Sequence, residues 1–273
     1  MGKYTQDSWK RFTMKAKNLH SLCIYCYEKA DSREHIPPET FLTKPYPDNL
    51  VIVPACKKCN GGFSGSEQYT ACFVDYFANI ISSGISPLRD KTQKAFARDK
   101  RIFEEVSGCF NVSGSIVSVE YDTNKVNEVI LKISRGHIAN RLDYLVNPEF
   151  DLLEHFVVKL KPQLSPEEIS AFNEMPIIES ISESGSDFVR DLLVYQNFDG
   201  AMVFSPWEVV QEGEYRFLAF PSGNMKITVR IVIFEMLYQL NLQKAQSNDK
   251  ITPWHTMKNL EYEQSNIAKK EIP

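Results

Sequence analysis

Residues 23–60 read CIYCYEKADSREHIPPETFLTKPYPDNLVIVPACKKCN, and this stretch decides the fold of the N-terminal part of the chain. It begins and ends with a pair of cysteines, Cys23 with Cys26 and Cys56 with Cys59. Two residues between paired cysteines let both thiolates of a tight turn point at one ion, and two such turns complete a tetrahedral Zn²⁺ shell. Because the stretch is too short and loop-rich to build its own core, we predict a closed, structural zinc site that folds it.

Three groups of polar residues lie between and just after the cysteine pairs. They are Arg33-Glu34-His35-Ile36-Pro37, then Asp48-Asn49-Leu50, then Asn60 directly after Cys59. Taken singly, each has an ordinary structural explanation, since asparagine is common in turns. In this order, and framed by the cysteines, residues 22–63 resemble the HNH nuclease family. The shared pattern is CxxC, acidic-His-Ile-x-Pro, Asn-Leu and CxxC-Asn.

The resemblance implies a role for each of these polar side chains. His35 is expected to be the general base that takes a proton from water, and Asn49 to orient that base and brace its loop. Glu34 and Asn60 are expected to be oxygen ligands of one catalytic divalent cation, Mg²⁺ or Mn²⁺. The structural zinc would then fix the position of Asn60, because Asn60 follows a zinc-bound cysteine.

Basic side chains within the same stretch are candidate phosphate contacts. These are Arg33, Lys57 and Lys58. For the two lysines, a solvated turn is an equally weighted interpretation.

Two departures from the family pattern leave an alternative open. Glu34 stands where the family usually has Asp, and residues 61–66 form a glycine-rich turn where a basic residue often follows. Backbone N–H groups of that turn are an alternative source of phosphate binding. A zinc-stapled nucleic-acid-binding or adaptor module with a silent site is therefore the second hypothesis.

The leading hypothesis is a metal-dependent endonuclease that cuts DNA rather than RNA, in anti-phage defence, restriction or a mobile element. A third hypothesis is an effector nuclease that stays inactive until a partner protein subunit activates it. The net charge of −4 argues against a protein that coats nucleic acid non-specifically. Residues 1–80 hold 10 Lys and Arg against 8 Asp and Glu, whereas the remainder holds 21 against 27. The N-terminal part is thus the better candidate for contact with phosphates.

The N-terminus lacks the apolar core of a signal peptide, and no apolar run reaches the roughly 18 residues of a membrane span. We therefore expect a cytoplasmic protein without a membrane partner. The expected fold class is α+β: a zinc-stapled ββα-metal module, treble-clef-like, followed by a mixed, mainly antiparallel β-rich domain. The predicted division is residues 1–85 for the module and its flanking helices, 86–108 for a helical connector, and 109–273 for an α+β domain that recognises a partner, a signal or the substrate.

Periodicity and turn residues predict the individual elements. Helices are expected at residues 9–19, at 66–83 with Gly84 closing its end, at 87–106, and after a capping box at 165–168. A hairpin is expected at 115–121 with 126–133, and strands at 50–54, 156–160, 192–198, 202–204, 215–221 and 226–234. Cys72 and Cys109 are expected to be buried thiols. Residues 133–136, Ile-Ser-Arg-Gly, resemble a recurring feature of a bacterial HNH subgroup with a β-rich C-terminal half. Arg135 and His137 are interpreted as a helix start with a surface histidine rather than as a second site.

Overall fold

A computed structural model describes residues 21–82, 84–85, 87–113, 116–142, 144–146, 152–174, 207–223 and 226–243. Within these ranges the chain is a mixed α/β structure with two antiparallel hairpins and one five-stranded antiparallel sheet. None of the helices in these ranges has the length and apolar character needed to cross a membrane. The predicted helix at 9–19 and the predicted strands at 192–198 and 202–204 lie outside the described residues.

Residues 32–55, which include His35 and Asn49, form a β-hairpin that is followed directly by a helix. Strand β1 (Ser32–Ile36) pairs antiparallel with β2 (Val51–Ala55), so that His35 lies opposite Ile52 and Glu34 opposite Val53. A 3₁₀ turn, Glu39–Phe41, lies in the connection, and helix α1 (Lys57–Gly62) begins one residue after Cys56. The strand predicted at 50–54 is confirmed within one residue at each end.

Three further helices follow α1. Helix α2 (Ser64–Ile81) confirms the predicted helix, and Gly84 adopts a φ of 79° just after it, a conformation that glycine accepts without strain. The single helix predicted at 87–106 is wrong, because the chain forms α3 (Asp90–Arg98) and α4 (Lys100–Ser107). Asp99 between them is extended, and its carboxylate accepts from the Arg101 N–H, which caps the new helix.

The hairpin predicted for residues 115–133 is only half correct. Strands β3 (Phe110–Ser113) and β4 (Ile116–Val119) pair with each other, whereas the apolar residues after them belong to helix α5 (Thr123–Leu142). The Asp122 carboxylate accepts from the N–H groups of Asn124 and Lys125 and so begins this helix. Many β-branched residues in α5 favour a strand by propensity, but tertiary packing overrides that weak preference.

The C-terminal part of the described chain is one antiparallel sheet. Its strands are β5 (Leu152–Leu160), β6 (Glu208–Gln211), β7 (Tyr215–Gly223), β8 (Lys226–Ile233) and β9 (Met236–Gln243), in the order β5-β9-β8-β7-β6. The strands predicted at 156–160, 215–221 and 226–234 are confirmed. Helix α6 (Pro166–Asn173) begins with the predicted capping box, in which the Ser165 hydroxyl and the Glu168 carboxylate each accept from the other residue's N–H.

Helix α5 lies between the hairpin and the sheet and joins their cores. Buried side chains from Cys23 to Leu242 form one continuous hydrophobic cluster, which includes the helix residues Val126, Val129 and Ile133. This hydrophobic cluster extends across the predicted domain boundaries at residues 86 and 109. The division into a module, a connector and a C-terminal domain stays a prediction. Cys72 and Cys109 are buried, as predicted.

The prediction of a surface histidine at a helix start is wrong. His137 lies in the second half of α5 and is 1% exposed. Its ring stacks on Phe217 with the centroids 3.5 Å apart, and its Nε2 shares a 2.8 Å hydrogen bond with the Tyr215 hydroxyl. The histidine is buried because this face of α5 packs on β7.

We expect Gly136→Ala to destabilise the protein. A Cβ at residue 136 would lie 2.5 Å from Cδ1 and 2.6 Å from Cγ1 of Ile36, which is itself buried in β1. Overpacking of this kind costs about 1–3 kcal/mol, which exceeds the roughly 1 kcal/mol that alanine contributes in a helix. Urea unfolding checks this. Gly65→Ala in α2 is the control, since nothing lies within 4 Å of its Cβ, and it should leave the unfolding free energy unchanged or slightly higher.

Burial of His137 should make stability depend on pH. Burial lowers the pKa of His137 well below its usual value, and the nearby Arg141 charge lowers it further. The unfolded chain therefore binds a proton below about pH 6.5 that the folded protein excludes, and the stabilisation present above that pH is lost as the pH falls. Between pH 7.5 and 5.5, the unfolding free energy of the wild type should drop by about 1.4 kcal/mol more than that of His137→Gln. Parallel pH curves for the two proteins would contradict this account.

Candidate metal centre and active site

The two cysteine pairs converge at the open end of the first hairpin. All four Sγ atoms lie within 4.8 Å of one another, and those of Cys26 and Cys56 are 3.7 Å apart. A zinc ion bonded to four sulfurs at about 2.3 Å holds them roughly 3.8 Å from each other, so the observed spacing fits a tetrahedral shell. Cys56 caps α1, and its Sγ accepts from the Cys59 N–H at 3.3 Å. The predicted convergence of the cysteines is confirmed, and the four thiols can hold a structural zinc ion.

A half-buried arginine from α5 holds the first cysteine turn in place. The Arg135 guanidinium donates to the carbonyls of Ile24 (3.0 Å) and Tyr25 (2.7 Å) and lies 5.4 Å from the Tyr25 ring centre. Burial lowers the pKa of Arg135, while neighbouring tyrosines and the Cys23 and Cys59 thiols oppose that shift. A zinc ion held by four thiolates would carry two negative charges, which the Arg135 cation would partly compensate. This role was not predicted from the sequence, although the resemblance of residues 133–136 indicated the segment.

His35 lies on β1 with a partly exposed side chain. Its Nδ1 is 3.5 Å from a carboxylate oxygen of Glu39, in the 3₁₀ turn, and a quarter of the side chain is exposed. Burial lowers the pKa of His35, and Glu39 opposes the shift. The imidazole is therefore neutral near pH 7, which a general base requires, and Glu39 can stabilise the cation formed when Nε2 takes a proton. Glu39 was not among the predicted site residues. Its spacing of four from His35 was the signal that could have indicated it.

Asn60 ties α1 to the strand that carries His35. Its Nδ2 donates to the Ser32 hydroxyl at 2.7 Å and to the Arg33 carbonyl at 2.8 Å. The side-chain oxygen is the atom left to ligate a cation. Asn49, the predicted orienting residue, is exposed at the end of the loop that leads into β2. Its predicted role and the ligand role of Asn60 stay predictions.

Glu34 points to the opposite side of β1 from His35, because neighbouring strand residues alternate faces. Its buried carboxylate lies 3.1 Å from Nζ of Lys132 in α5, and Lys132 also pairs with Glu67 in α2. Burial raises the pKa of Glu34 to about 7, against the opposing effect of Lys132. Lys132 engages Oε1 of this carboxylate, whereas Oε2 is buried without a hydrogen-bond partner among the described residues. The predicted ligand role of Glu34 stays a prediction, and its observed role is an ion pair.

The predicted phosphate contacts lie on the surface around this site. Arg33 is exposed on β1, and Lys57 and Lys58 are exposed at the start of α1. The Lys57 ammonium lies 3.8 Å from the Asp31 carboxylate, which also accepts from the Lys57 N–H at 2.8 Å. These side chains remain accessible to an anion, and their contact with phosphate stays a prediction.

Arg135→Met should weaken zinc binding. It leaves two carbonyls of the first cysteine turn without their donor and removes compensating charge, and each lost buried hydrogen bond costs about 1–3 kcal/mol. We expect zinc affinity to fall about tenfold or more, measured by competition with a chromophoric chelator, and Arg135→Lys to fall between Met and wild type. Arg141→Met is the matched control, because Arg141 lies on the same helix but pairs with Glu208 of the large sheet. Equal loss in both methionine variants would show that the effect is general destabilisation.

Comparison with known proteins adds no further support to this geometry. No protein-family model, curated protein or solved structure matches the chain.

Proposed function

We propose that this protein is an HNH-type endonuclease that hydrolyses nucleic-acid phosphodiester bonds, with DNA as the preferred substrate. One observation carries the proposal. The Asn60 side chain on α1 hydrogen-bonds to the Arg33 carbonyl of the strand that carries His35, and the four converging thiols lie at the end of the same hairpin. This strand-to-helix arrangement joins the acidic-His and CxxC-Asn parts of the sequence pattern in a single unit. A restriction or anti-phage setting is part of the proposal and rests on the family resemblance alone.

In the proposed reaction, His35 acts as the general base. Nε2 takes a proton from a water molecule, the water oxygen forms a bond to phosphorus, and the bond from phosphorus to the leaving 3′-oxygen breaks. Glu39, 3.5 Å from Nδ1, stabilises the imidazolium that results. The leaving oxygen takes a proton from solvent. A quarter of the His35 side chain is exposed, but Nε2 itself is buried, so the reaction requires the neighbouring side chains to move and admit water and a phosphate to this nitrogen.

Metal dependence is a separate part of the proposal. A divalent cation would neutralise charge on the phosphate, with the Asn60 oxygen and the Glu34 carboxylate as its proposed ligands. Lys132 lies 3.1 Å from Oε1 of Glu34, so a cation would bind the unpartnered Oε2 or would displace Lys132 from Oε1. Cutting that needs Mg²⁺ or Mn²⁺ would support a cation at this site.

The same ion pair favours a second function. With Glu34 bound to Lys132, the module is a zinc-stapled fold that presents basic side chains to nucleic acid without cutting it. An effector nuclease that needs an activating protein subunit would also fail to cut nucleic acid when it is purified alone. Both alternatives predict that the purified protein binds duplex DNA without cutting it. Adding the partner subunit would start cutting by an effector nuclease but not by a binding module.

A plasmid assay tests the proposal. Supercoiled plasmid is incubated with wild type or His35→Ala, with Mg²⁺ or Mn²⁺, and with EDTA as the metal control. Loss of a general base typically costs 10²–10⁴-fold, so we expect nicking by the wild type and a rate at least about 100-fold lower for His35→Ala. His155→Ala, on β5 of the large sheet, is the matched histidine control and should cut normally. Undiminished cutting by His35→Ala would rule out His35 as the base.

A further inference from the structure

A cavity of about 380 Å³ lies between helices α2 and α3, beside the first hairpin. The cavity has apolar lining surface as well as hydroxyl, amide and charged side chains, among them Thr40, Glu67, Lys91, Lys94 and Arg98. These polar and charged groups can donate hydrogen bonds to a ligand and pair with an anion.

Three cations in this cavity come from one face of one helix. Lys91, Lys94 and Arg98 are spaced three and four residues apart along α3, which places them side by side. The counter-charges are few: Asp90 pairs with the exposed Lys94, and the Glu67 carboxylate at the wall is bound to the buried Lys132. We call this group of three cations and the space they line the basic cavity. Its unbalanced charge is positive, in a protein whose net charge is −4.

The positive surface continues from the cavity towards the hairpin loop. The Lys91 ammonium lies 4.5 Å from the centre of the Tyr46 ring, and the Lys44 ammonium lies 5.8 Å from the same ring. Burial lowers the pKa of Lys91; Glu39 opposes that shift, whereas Arg89 and Lys44 add to it. Lys91 is thus held among other cations, and a bound anion would relieve their repulsion.

A single 3₁₀ turn separates the basic cavity from His35. Nζ of Lys91 donates to the carbonyl of Glu39, and Thr40, the next residue, lines the cavity. The carboxylate of the same Glu39 lies 3.5 Å from Nδ1 of His35. Residues 39 and 40 of this turn therefore connect the surroundings of His35 with the basic cavity.

We propose that the basic cavity binds the phosphodiester backbone of a nucleic acid, beside the phosphate presented to His35. This inference rests on the proposed function for its choice of polyanion. The three cations of α3 neutralise phosphates that flank the scissile one, and the hydroxyl and amide groups donate to phosphate oxygens. Contacts of this kind position the nucleic acid without reading its sequence.

Duplex binding in the absence of cutting tests the proposal directly. The protein is the full, zinc-loaded chain carrying His35→Ala, without added Mg²⁺ or Mn²⁺, with a fluorescein-labelled DNA duplex followed by fluorescence anisotropy between about 50 and 200 mM salt. Adding K94Q and R98Q removes two cavity cations and leaves Lys91, which holds the 3₁₀ turn. We expect binding at least about fivefold weaker at 50 mM salt and a salt slope smaller by about 1 to 2, as counterion release at two phosphates requires.

The matched control is K100Q with R101Q on helix α4. It also removes one lysine and one arginine from exposed helical positions, both of them outside the cavity lining. It should bind the duplex like the parent protein. Equal weakening by both pairs of substitutions would overturn the proposal, and so would an absence of duplex binding by the parent.

Failure of this inference and failure of the proposed function give different results. If no plasmid is cut under any condition but K94Q with R98Q selectively loses duplex binding, the cavity binds nucleic acid and the nuclease assignment fails. If the wild type cuts plasmid through His35 and K94Q with R98Q binds like the parent, the nuclease assignment holds and the cavity proposal fails.

Discussion

The buried cations of helix α5 impose the constraint on which the N-terminal half of the structure depends. Lys132 is fully removed from solvent and must be neutralised, which draws Glu34 of β1 and Glu67 of α2 to it. Arg135, one turn later, needs acceptors and finds them in the carbonyls of the first cysteine turn. Gly136 then allows the helix backbone to approach Ile36 closely. Together these contacts fix the hairpin, α2 and the cysteine cluster relative to one helix.

The same constraint determines what each side of β1 can do. Because the side chains of a strand alternate, anchoring Glu34 inwards places Arg33 and His35 on the other face. That face carries the partly exposed imidazole and its Glu39 partner, and it leads across one turn to the basic cavity. The hairpin therefore has one side that is charged and covered by α5, and another that carries Arg33 and the partly exposed His35.

The four-cysteine cluster and the hydrophobic core are two separate supports of the proposed site. The four thiols, with zinc, can hold the open end of the hairpin to α1, because α1 has no buried residue that could do so. The remaining support comes from the large hydrophobic cluster, which reaches from the cysteine turn to the five-stranded sheet through α5. Loss of the cysteine cluster or of core packing should make the position of the His35 side chain less fixed, although neither support is proposed to contact a substrate. For this reason the tests of zinc binding, stability and cutting each need a separate readout.

The sequence by itself determined the elements that depend on neighbours a few residues apart. The CxxC pairs, the strand before Cys56, the glycine after α2 and the Ser165 capping box all act locally, and the structure contains each of them. No local signal predicted the strand that carries His35 or the helix that carries Asn60, and only the family resemblance implied a strand–helix order there. Tertiary structure alone decided that residues 126–133 are helical, that Lys132 occupies Glu34, and that Arg135 holds the cysteine turn. These outcomes depend on which surfaces lose water, and partners about a hundred residues apart in the chain determine that burial.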